Sequence, residues 1–392
     1  MKIMMISATD LPIPAYKGGA TETLMTELLS TDLILKNNDI EIDVFCHCAG
    51  ENFSNGNVNY CYIAPNIFDR VYFTFYRIRR LIMLRKVNIP DYFPIRLNKK
   101  VDLNKYDVII LEGNKNQVLN LRKNYKGIIV LHIHTVITFT PNTPDVIRIF
   151  DNCDYIIANS NYSQKTMKKI KETDGSKVLL LPNCVNSDLF NISNGQNIRK
   201  KLGIGNEEFV YLYCGRLEIG KGVLELIRAY KKCLHDGILV IVGASWFSSN
   251  KKTKYVKELE KESLEIKDRV FFTGYINHVK LSDYYKMANV VIMPSIYNEA
   301  AGLVAIEAQM CGVPVIVSKV GGLPEFVHEK SELKIEVDDK FIENLGAKMV
   351  ELKLNKELYD REKSLALENV KKYTMKQYAT NFLEIVNQYF RK

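Results

Sequence analysis

The sequence predicts an α/β protein with two domains, each built on a parallel sheet. The chain has 392 residues, which is about twice the usual domain size, so we expect two hydrophobic cores. Short apolar runs of strand length alternate with longer segments of helical periodicity over most of the chain. This alternation is typical of parallel sheets with helices on both faces.

The predicted strands fall into two sets. The first set comprises residues 2–6, 42–46, 108–111, 128–133, 155–158 and 178–181. The second set comprises residues 209–214, 238–242, 270–273, 290–293 and 315–317. A Pro-Asn segment from residue 182 and a polar stretch at 191–197 separate the two sets. We therefore predict an N-terminal domain at 1–184, a C-terminal domain at 185–370, and a helix at 371–392 that docks back on the N-terminal domain.

Composition indicates an ordinary soluble globular protein, with 47% hydrophobic and 25% charged residues. The first residues, Met1 to Ile6, predict a strand and not a signal peptide, and no stretch approaches the length of a membrane span. The eight cysteines form neither a disulfide framework nor a C-x-x-C pair. We expect reduced thiols and a cytoplasmic location.

Basic residues are concentrated between positions 70 and 100. Nine lysines and arginines there face one acid, Asp91, so this segment carries +8 of a net charge of +9. Aromatic and aliphatic residues are interleaved with the charges, as in an amphipathic helix that contacts the inner face of a membrane or a polyanionic acceptor. The alternative is a solvated helix that packs its aromatic face on its own domain. A single basic segment without a nucleic-acid-binding motif argues against nucleic acid as a partner.

A glycine-rich turn follows the predicted strand at 209–214. The segment from Gly215 to Lys221 matches a Walker A loop, but Gly222 stands where that loop has the hydroxyl residue that holds magnesium. Two cations, Arg216 and Lys221, remain ahead of a predicted helix. This arrangement is suited to a diphosphate whose charge is neutralised by side chains instead of by a metal.

A pair of glutamates eight positions apart carries the clearest functional signal. A predicted strand ends before Pro294, and helical spacing begins at Leu303, so Gly302 is expected at a helix N-terminus. The backbone amides there, including those of Leu303 and Val304, favour a phosphate, and a residue without Cβ lets it approach closely. Glu307, one turn later, could accept hydrogen bonds from a ribose diol. Glu299 would face the group beyond the phosphates.

These motifs resemble those of the retaining glycosyltransferases of family 4, which have the GT-B fold. In the C-terminal half the resemblance rests on Arg216 and Lys221, on the spacing of the two glutamates, and on the runs at 312–316 and 321–325. In the N-terminal half it rests on the glycines after the first strand and on the His-Ile-His-Thr run at 132–135, so it covers nearly the whole chain. Residues 11–20 are further similar to spore-coat members of the family.

The resemblance implies two Rossmann-like domains that face a cleft, with a role for each matched residue. Arg216 and Lys221 would bind the donor diphosphate, Glu307 the ribose, and Glu299 the region of the donor sugar. His134 would contact the donor sugar near the reacting carbon, with His132 as the reserve candidate. In the N-terminal domain, Gly18 and Gly19 would let a helix N-terminus approach the diphosphate, or would only form a tight turn.

The function implied is transfer of a sugar, with retention of configuration, from a nucleoside-diphosphate sugar to an acceptor. Uridine diphosphate is the favoured carrier, no metal or other cofactor is expected, and the acceptor would be a glycan, a lipid-linked glycan or another cell-envelope molecule. Two alternatives share the fold, namely a sugar-nucleotide 2-epimerase and a non-catalytic coat or glycan-binding protein. The chain departs from the family pattern at Cys184, where a glycine is usual, which puts the geometry of the interdomain hinge in question.

Overall fold

A computed structural model describes most of the chain. The described residues are 1–7, 11–16, 19–46, 50–64, 99–135, 144–170, 174–190, 198–233, 237–245 and 253–391, with single positions at 48, 67, 68, 71, 74, 75, 78 and 97. Contacts divide these residues into two compact units. The first contains Met1–Asn159, Gln164–Leu181 and Tyr378–Lys392, and the second contains Ser160–Ser163 and Pro182–Gln377.

The first unit is built on an eight-stranded sheet. Its strands, in chain order, are β1 (Lys2–Ile6), β2 (Glu41–Cys46), β3 (Phe53–Asn55), β4 (Val58–Tyr62), β5 (Val108–Glu112), β6 (Ile128–Ile133), β7 (Tyr155–Ala158) and β8 (Val178–Leu180). Their order in the sheet is β3-β4-β2-β1-β5-β6-β7-β8, and every neighbouring pair is parallel except β3 and β4. Every residue of β5 and β6 is buried, as expected for central strands covered on both faces.

Short helices connect these strands. They are α1 (Ala20–Leu29), α2 (Asp32–Leu35), α3 (Val118–Arg122), α4 (Pro144–Asp151) and α5 (Asn161–Lys168). Helix α4 buries its apolar residues Val146, Ile149 and Phe150, which follow a helical spacing and join the core beneath β5 and β6. The chain returns to this unit at its C-terminus, where Phe390 packs against Tyr155 with ring centroids 5.6 Å apart.

The second unit has a six-stranded sheet that is parallel throughout. Its strands are β9 (Val210–Cys214), β10 (Ile238–Val242), β11 (Val270–Gly274), β12 (Val290–Met293), β13 (Val315–Ser318) and β14 (Lys334–Ile335), in the order β11-β10-β9-β12-β13-β14. Its helices, together with the last helix of the chain, are α6 (Ser187–Phe190), α7 (Ile198–Leu202), α8 (Val223–Cys233), α9 (Lys254–Glu262), α10 (Leu281–Met287), α11 (Leu303–Met310), α12 (Phe341–Leu354), α13 (Lys356–Asn369) and α14 (Met375–Ile385). Two hydrophobic clusters cover the two faces of this sheet.

Every strand predicted from the sequence is present, with ends that differ by at most one residue. Three strands among the described residues were not predicted. β3 and β4 form a hairpin around Gly56, which has a φ of 55°, and β3 is fully exposed, so it carries no apolar signal. β14 has two residues, which is too short for a periodicity to appear.

No helix in the described part of the chain is both long enough and apolar enough to cross a bilayer. Most of the basic segment predicted at 70–100 lies outside the described residues. Seven of the eight cysteines have described side chains; these seven are free thiols, and four of them are buried. The side chains of Cys46, Cys153 and Cys214 lie in apolar surroundings, and burial raises the pKa of each thiol to about 12.

Replacement of Gly222 by alanine should destabilise the second unit more than the same replacement at Gly203. Both glycines have a left-handed φ, +68° at Gly222 and +69° at Gly203. A Cβ at Gly222 would lie 1.8 Å from the carbonyl oxygen of Pro294, whereas a Cβ at Gly203 would meet nothing within 4 Å. Gly203→Ala therefore carries the backbone cost of about 1–2 kcal/mol without a clash, and Gly222→Ala carries that cost plus the clash. Urea midpoints followed by circular dichroism measure the difference, and equal midpoints for the two variants would contradict it.

Candidate active site

The glycine-rich turn after β9 carries the two predicted cations. A short 3-10 helix, Ile219–Lys221, ends at Gly222, and helix α8 begins at the next residue. Lys221 is three-quarters buried, whereas the Arg216 side chain is 52% exposed and its guanidinium lies 3.0 Å from the Glu218 carboxylate. Of the two cations on this turn, Lys221 is therefore largely buried and Arg216 lies at the surface.

Lys221 and Glu299 form a tight ion pair. The Lys221 Nζ donates to both carboxylate oxygens of Glu299, at 2.6 and 2.8 Å. The Ser295 hydroxyl donates to Glu299 Oε1 at 2.6 Å, so three donor contacts fix the carboxylate. Of the two glutamates predicted from the sequence, Glu299 is therefore the one whose carboxylate is paired with a lysine.

The Gly-Gly run at 321–322 lies against the backbone of Glu299. The Gly322 amide donates to the Glu299 carbonyl oxygen at 2.7 Å. Gly321 has a φ of +58°, and a Cβ there would lie 2.3 Å from the same oxygen. Only a residue without a side chain allows this approach, which explains why the motif needs glycine here.

Helix α11 begins directly after Gly302, as predicted. Gly302 has no side chain with which to cap the helix, so the first-turn amides, including those of Leu303 and Val304, form the positive end of the helix dipole without the usual N-cap acceptor. Leu303 and Val304 are half-buried, whereas Gly302 is buried. Such a helix start is suited to an anion.

Glu307 lies one turn into α11, and its side chain is 6% exposed. Its Oε2 accepts a hydrogen bond from the Tyr285 hydroxyl at 2.6 Å, and its Oε1 lies 2.8 Å from the His278 Nε2. Burial is the main reason that the pKa of Tyr285 is raised well above its ordinary value, so this hydroxyl acts as a donor. The His278 side chain is 39% exposed and covers the outer side of the carboxylate.

In the first unit, the predicted glycines precede helix α1. Gly18 lies outside the described residues. Gly19 occupies the N-cap position of α1 with a φ of 106°, and a Cβ there would lie 2.2 Å from a carboxylate oxygen of the buried Glu22. The position therefore requires glycine for conformation and for space.

The two predicted histidines lie at the carboxyl end of β6 and share one carboxylate. His134 Nε2 is 2.6 Å from Glu112 Oε2, and His132 Nδ1 is 3.0 Å from the same oxygen. Burial alone would raise the pKa of Glu112, but the charges and hydrogen bonds of the two histidines outweigh it and lower this pKa to about 2. Burial, followed by the proximity of His132, lowers the pKa of His134. The favoured state at neutral pH is an ionised Glu112 beside a neutral His134.

Sequence reasoning missed four residues that contact the side chains of the predicted glutamates and histidines: Glu112, His278, Tyr285 and Ser295. Of these, Glu112 had a usable signal, because it ends a buried strand and carboxyl ends of parallel strands meet at one edge of a sheet. Tyr285 and His278 reach Glu307 from 22 and 29 residues earlier in the chain, a distance over which no local pattern operates.

Comparison with known proteins assigns these features to an enzyme class. Residues 194–367 match the family described as glycosyl transferases group 1. The lipopolysaccharide 1,2-N-acetylglucosaminetransferase of Salmonella typhimurium is 27% identical over 76% of this chain and 77% of its own length. An uncharacterised glycosyltransferase of Methanocaldococcus jannaschii is 35% identical, but the match covers only 46% of each chain.

A solved structure with the same fold is that of the Anabaena protein HepE in complex with UDP. It has a TM-score of 0.74 and 18% identity, and the match covers 99% of this chain and 100% of that one. At this identity the likeness shows the fold alone. The group 1 match and the glycosyltransferase relatives identify the chain as a glycosyltransferase, and the shared architecture shows that it has the GT-B fold.

Proposed function

We propose that the chain transfers a sugar from a nucleoside-diphosphate sugar, with uridine as the favoured base, to a glycan, a lipid-linked glycan or another cell-envelope acceptor. The observation that carries this proposal is the uncapped start of α11 at Gly302 with the buried Glu307 one turn later. The Salmonella relative is named for a lipopolysaccharide acceptor and the Anabaena structure holds UDP, which supports this choice of acceptor and donor.

The second unit would bind the nucleotide. The amides of Leu303 and Val304 would receive the diphosphate at the helix start, and Glu307 would accept hydrogen bonds from the ribose diol. Each carboxylate oxygen has two lone pairs, so Glu307 can accept from ribose while Tyr285 continues to donate to it. A carboxylate that is already fixed by a buried donor loses little freedom when the ribose binds.

Lys221 would stabilise the departing diphosphate. Its ammonium has three N–H donors, and the two contacts with Glu299 leave at least one for a phosphate oxygen. Glu299, held in turn by Lys221 and Ser295, would face the donor sugar. Arg216, on the surface of the same turn, would supply a second positive charge. We propose that these cations and the helix dipole replace a metal ion and that the reaction retains configuration, as in family 4.

The remaining assignments rest on the resemblance. His134, rather than His132, would contact the donor sugar near the reacting carbon, and Gly18 and Gly19 would approach the diphosphate through the start of α1. The basic segment at 70–100 would contact anionic lipid on the inner face of a membrane. The similarity of residues 11–20 to spore-coat members of the family further suggests a role in the spore coat.

A thermal-shift screen of nucleotide sugars in excess EDTA tests the proposal directly. A ligand at about a hundredfold its dissociation constant should stabilise the protein by roughly 2.7 kcal/mol, and the gain should persist without divalent metal. Uridine diphosphate sugars should give the largest shift. If no nucleotide sugar stabilises the protein, the proposed donor class is wrong.

The Glu307→Gln variant should lose the ability to recognise the ribose hydroxyls. A hydrogen bond to a charged group is worth about 1.5–3 kcal/mol, so UDP affinity should fall by roughly 10- to 100-fold. The wild type should bind 2′,3′-dideoxy-UDP equally weakly, while the variant should not distinguish the two nucleotides. Isothermal titration calorimetry measures all four affinities. Equal losses for both nucleotides in the variant would show that Glu307 acts elsewhere than on the ribose.

Replacement of Lys221 by methionine should lower kcat by about 100-fold or more, because a cation at the leaving diphosphate acts mainly in the transition state. Lys319 offers a matched control, since it is a half-exposed lysine of the same unit that pairs with the Glu336 carboxylate at 2.7 Å. Lys319→Met should leave kcat unchanged. The rate of UDP release from the donor identified by the screen is the measurement. A similar loss in both variants, or in neither, would contradict the assigned role.

A further inference from the structure

We infer that Glu112 is a positioning residue that holds His134 in a single tautomer, with a proton on Nε2 and a lone pair on Nδ1. This inference rests on the proposed role of His134 at the donor sugar, and it adds a residue that the sequence motifs do not contain. In this tautomer, His134 can only accept a hydrogen bond from a substrate at Nδ1.

The sheet topology brings the three side chains together. Glu112 is the last residue of β5 and pairs in register with His132 on β6. His134 follows two residues later, so both histidines lie on the side of the sheet that Glu112 occupies. Their ring centroids are 4.0 Å apart. The main chain is fixed as well, because Gly113 donates to the His132 carbonyl oxygen at 2.7 Å and Asn159 donates to that of His134 at 3.2 Å.

Because Glu112 is buried, its ionised form depends on the donors that contact it. Its side chain is 2% exposed, and a carboxylate removed from water to this extent is costly unless donors surround it. His134 and His132 both contact its Oε2, at 2.6 and 3.0 Å. A well-packed apolar residue would serve stability as well or better at such a position. The cost of the buried charge therefore points to a task beyond packing.

The charge state then fixes the tautomer. An ionised carboxylate can only accept, so the proton of the contact at 2.6 Å belongs to His134 Nε2. Because His134 is neutral, its Nδ1 carries a lone pair. A hydroxyl of the donor sugar can donate to this nitrogen, whereas a carbonyl or phosphate oxygen cannot bond to it.

The distances favour hydrogen bonds over a metal site. Three ligands of these types could hold zinc, since their ligand atoms lie within 4.8 Å of one another. Zinc at about 2.0–2.1 Å from each ligand in a tetrahedral shell keeps the ligand atoms roughly 3.4 Å apart. The separation of 2.6 Å between Glu112 and His134 is shorter than this and is typical of a charge-assisted hydrogen bond.

Two-bond ¹H–¹⁵N correlation spectra test the inference, because they distinguish the two neutral tautomers of histidine without any substrate. The wild type should show His134 protonated on Nε2. In Glu112→Gln, which keeps the shape but adds an amide donor, this single tautomer should be lost. The variant should also lose about 10-fold or more in kcat, with KM for the donor changed by less than about threefold.

Asp43→Asn is the matched control. Asp43 is a buried carboxylate of the same sheet that accepts hydrogen bonds from the Tyr106 hydroxyl at 2.6 Å and from the Asn59 amide at 2.7 Å. This variant loses a buried charge without touching His134, so its His134 signal and its kcat should match those of the wild type.

Three results would overturn the inference. They are a wild-type His134 protonated on Nδ1, an unchanged tautomer in Glu112→Gln, and one equivalent of zinc bound by the wild type but lost from Glu112→Gln. The first needs no variant, so it applies even if Glu112→Gln does not fold. The spectra also separate this inference from the proposed function, since a wild type that turns over no nucleotide sugar would contradict the function and leave the tautomer measurable.

Discussion

The contact between Gly222 and the carbonyl group of Pro294 determines the geometry of the second unit's site. A Cβ at Gly222 would lie 1.8 Å from that oxygen, so the turn after β9 and the loop after β12 meet backbone to backbone. The amides of Ile296 and Tyr297 then donate to the Gly220 carbonyl oxygen, at 3.0 and 3.3 Å. These backbone contacts place the Lys221 ammonium within hydrogen-bond distance of the Glu299 carboxylate. Since β9, β12 and β13 are neighbours in a parallel sheet, their carboxyl-terminal loops lie at one edge, and glycines let them pack this closely.

Two buried carboxylates in the molecule are built on similar principles but are suited to different tasks. Glu112 and Glu307 each contact two side chains that can donate, which offsets the cost of removing a charge from water. The side chains of His132 and His134, the partners of Glu112, are only 5% and 9% exposed, so solvent has little access to replace them. One partner of Glu307, His278, is 39% exposed, and a ribose could take its place. Glu112 is therefore suited to hold a neighbour, and Glu307 to bind a ligand.

The strands and the helix start at Gly302 could be predicted from the sequence because their signals are local. Apolar runs bounded by Gly and Pro mark the buried strands, and the spacing after Pro294 marks α11. The hairpin of β3 and β4 was missed because its first strand lies in solvent and has no reason to be apolar. The partners of Glu307 could not be predicted, because they come from separate elements and are brought to it by tertiary packing. Glu112, the partner of His134, had one usable signal, its place at the carboxyl end of β5. The environment of Arg216 was equally hidden, since the motif gives its position and not its exposure.

The charge balance of the site indicates which of its ion pairs would give way to a diphosphate. Lys221 and Glu299 neutralise each other, and their pair is mostly buried and reinforced by Ser295, so separating them would leave a poorly solvated charge. Arg216 and Glu218 are 52% and 44% exposed, and a pair of this kind contributes about 0–1 kcal/mol. Arg216 could therefore leave Glu218 for a phosphate oxygen at little cost in free energy. It would gain a partner of higher charge than a single carboxylate. On the proposed function, Arg216 is the cation that would move to the donor diphosphate, whereas Lys221 would bind the diphosphate without leaving Glu299.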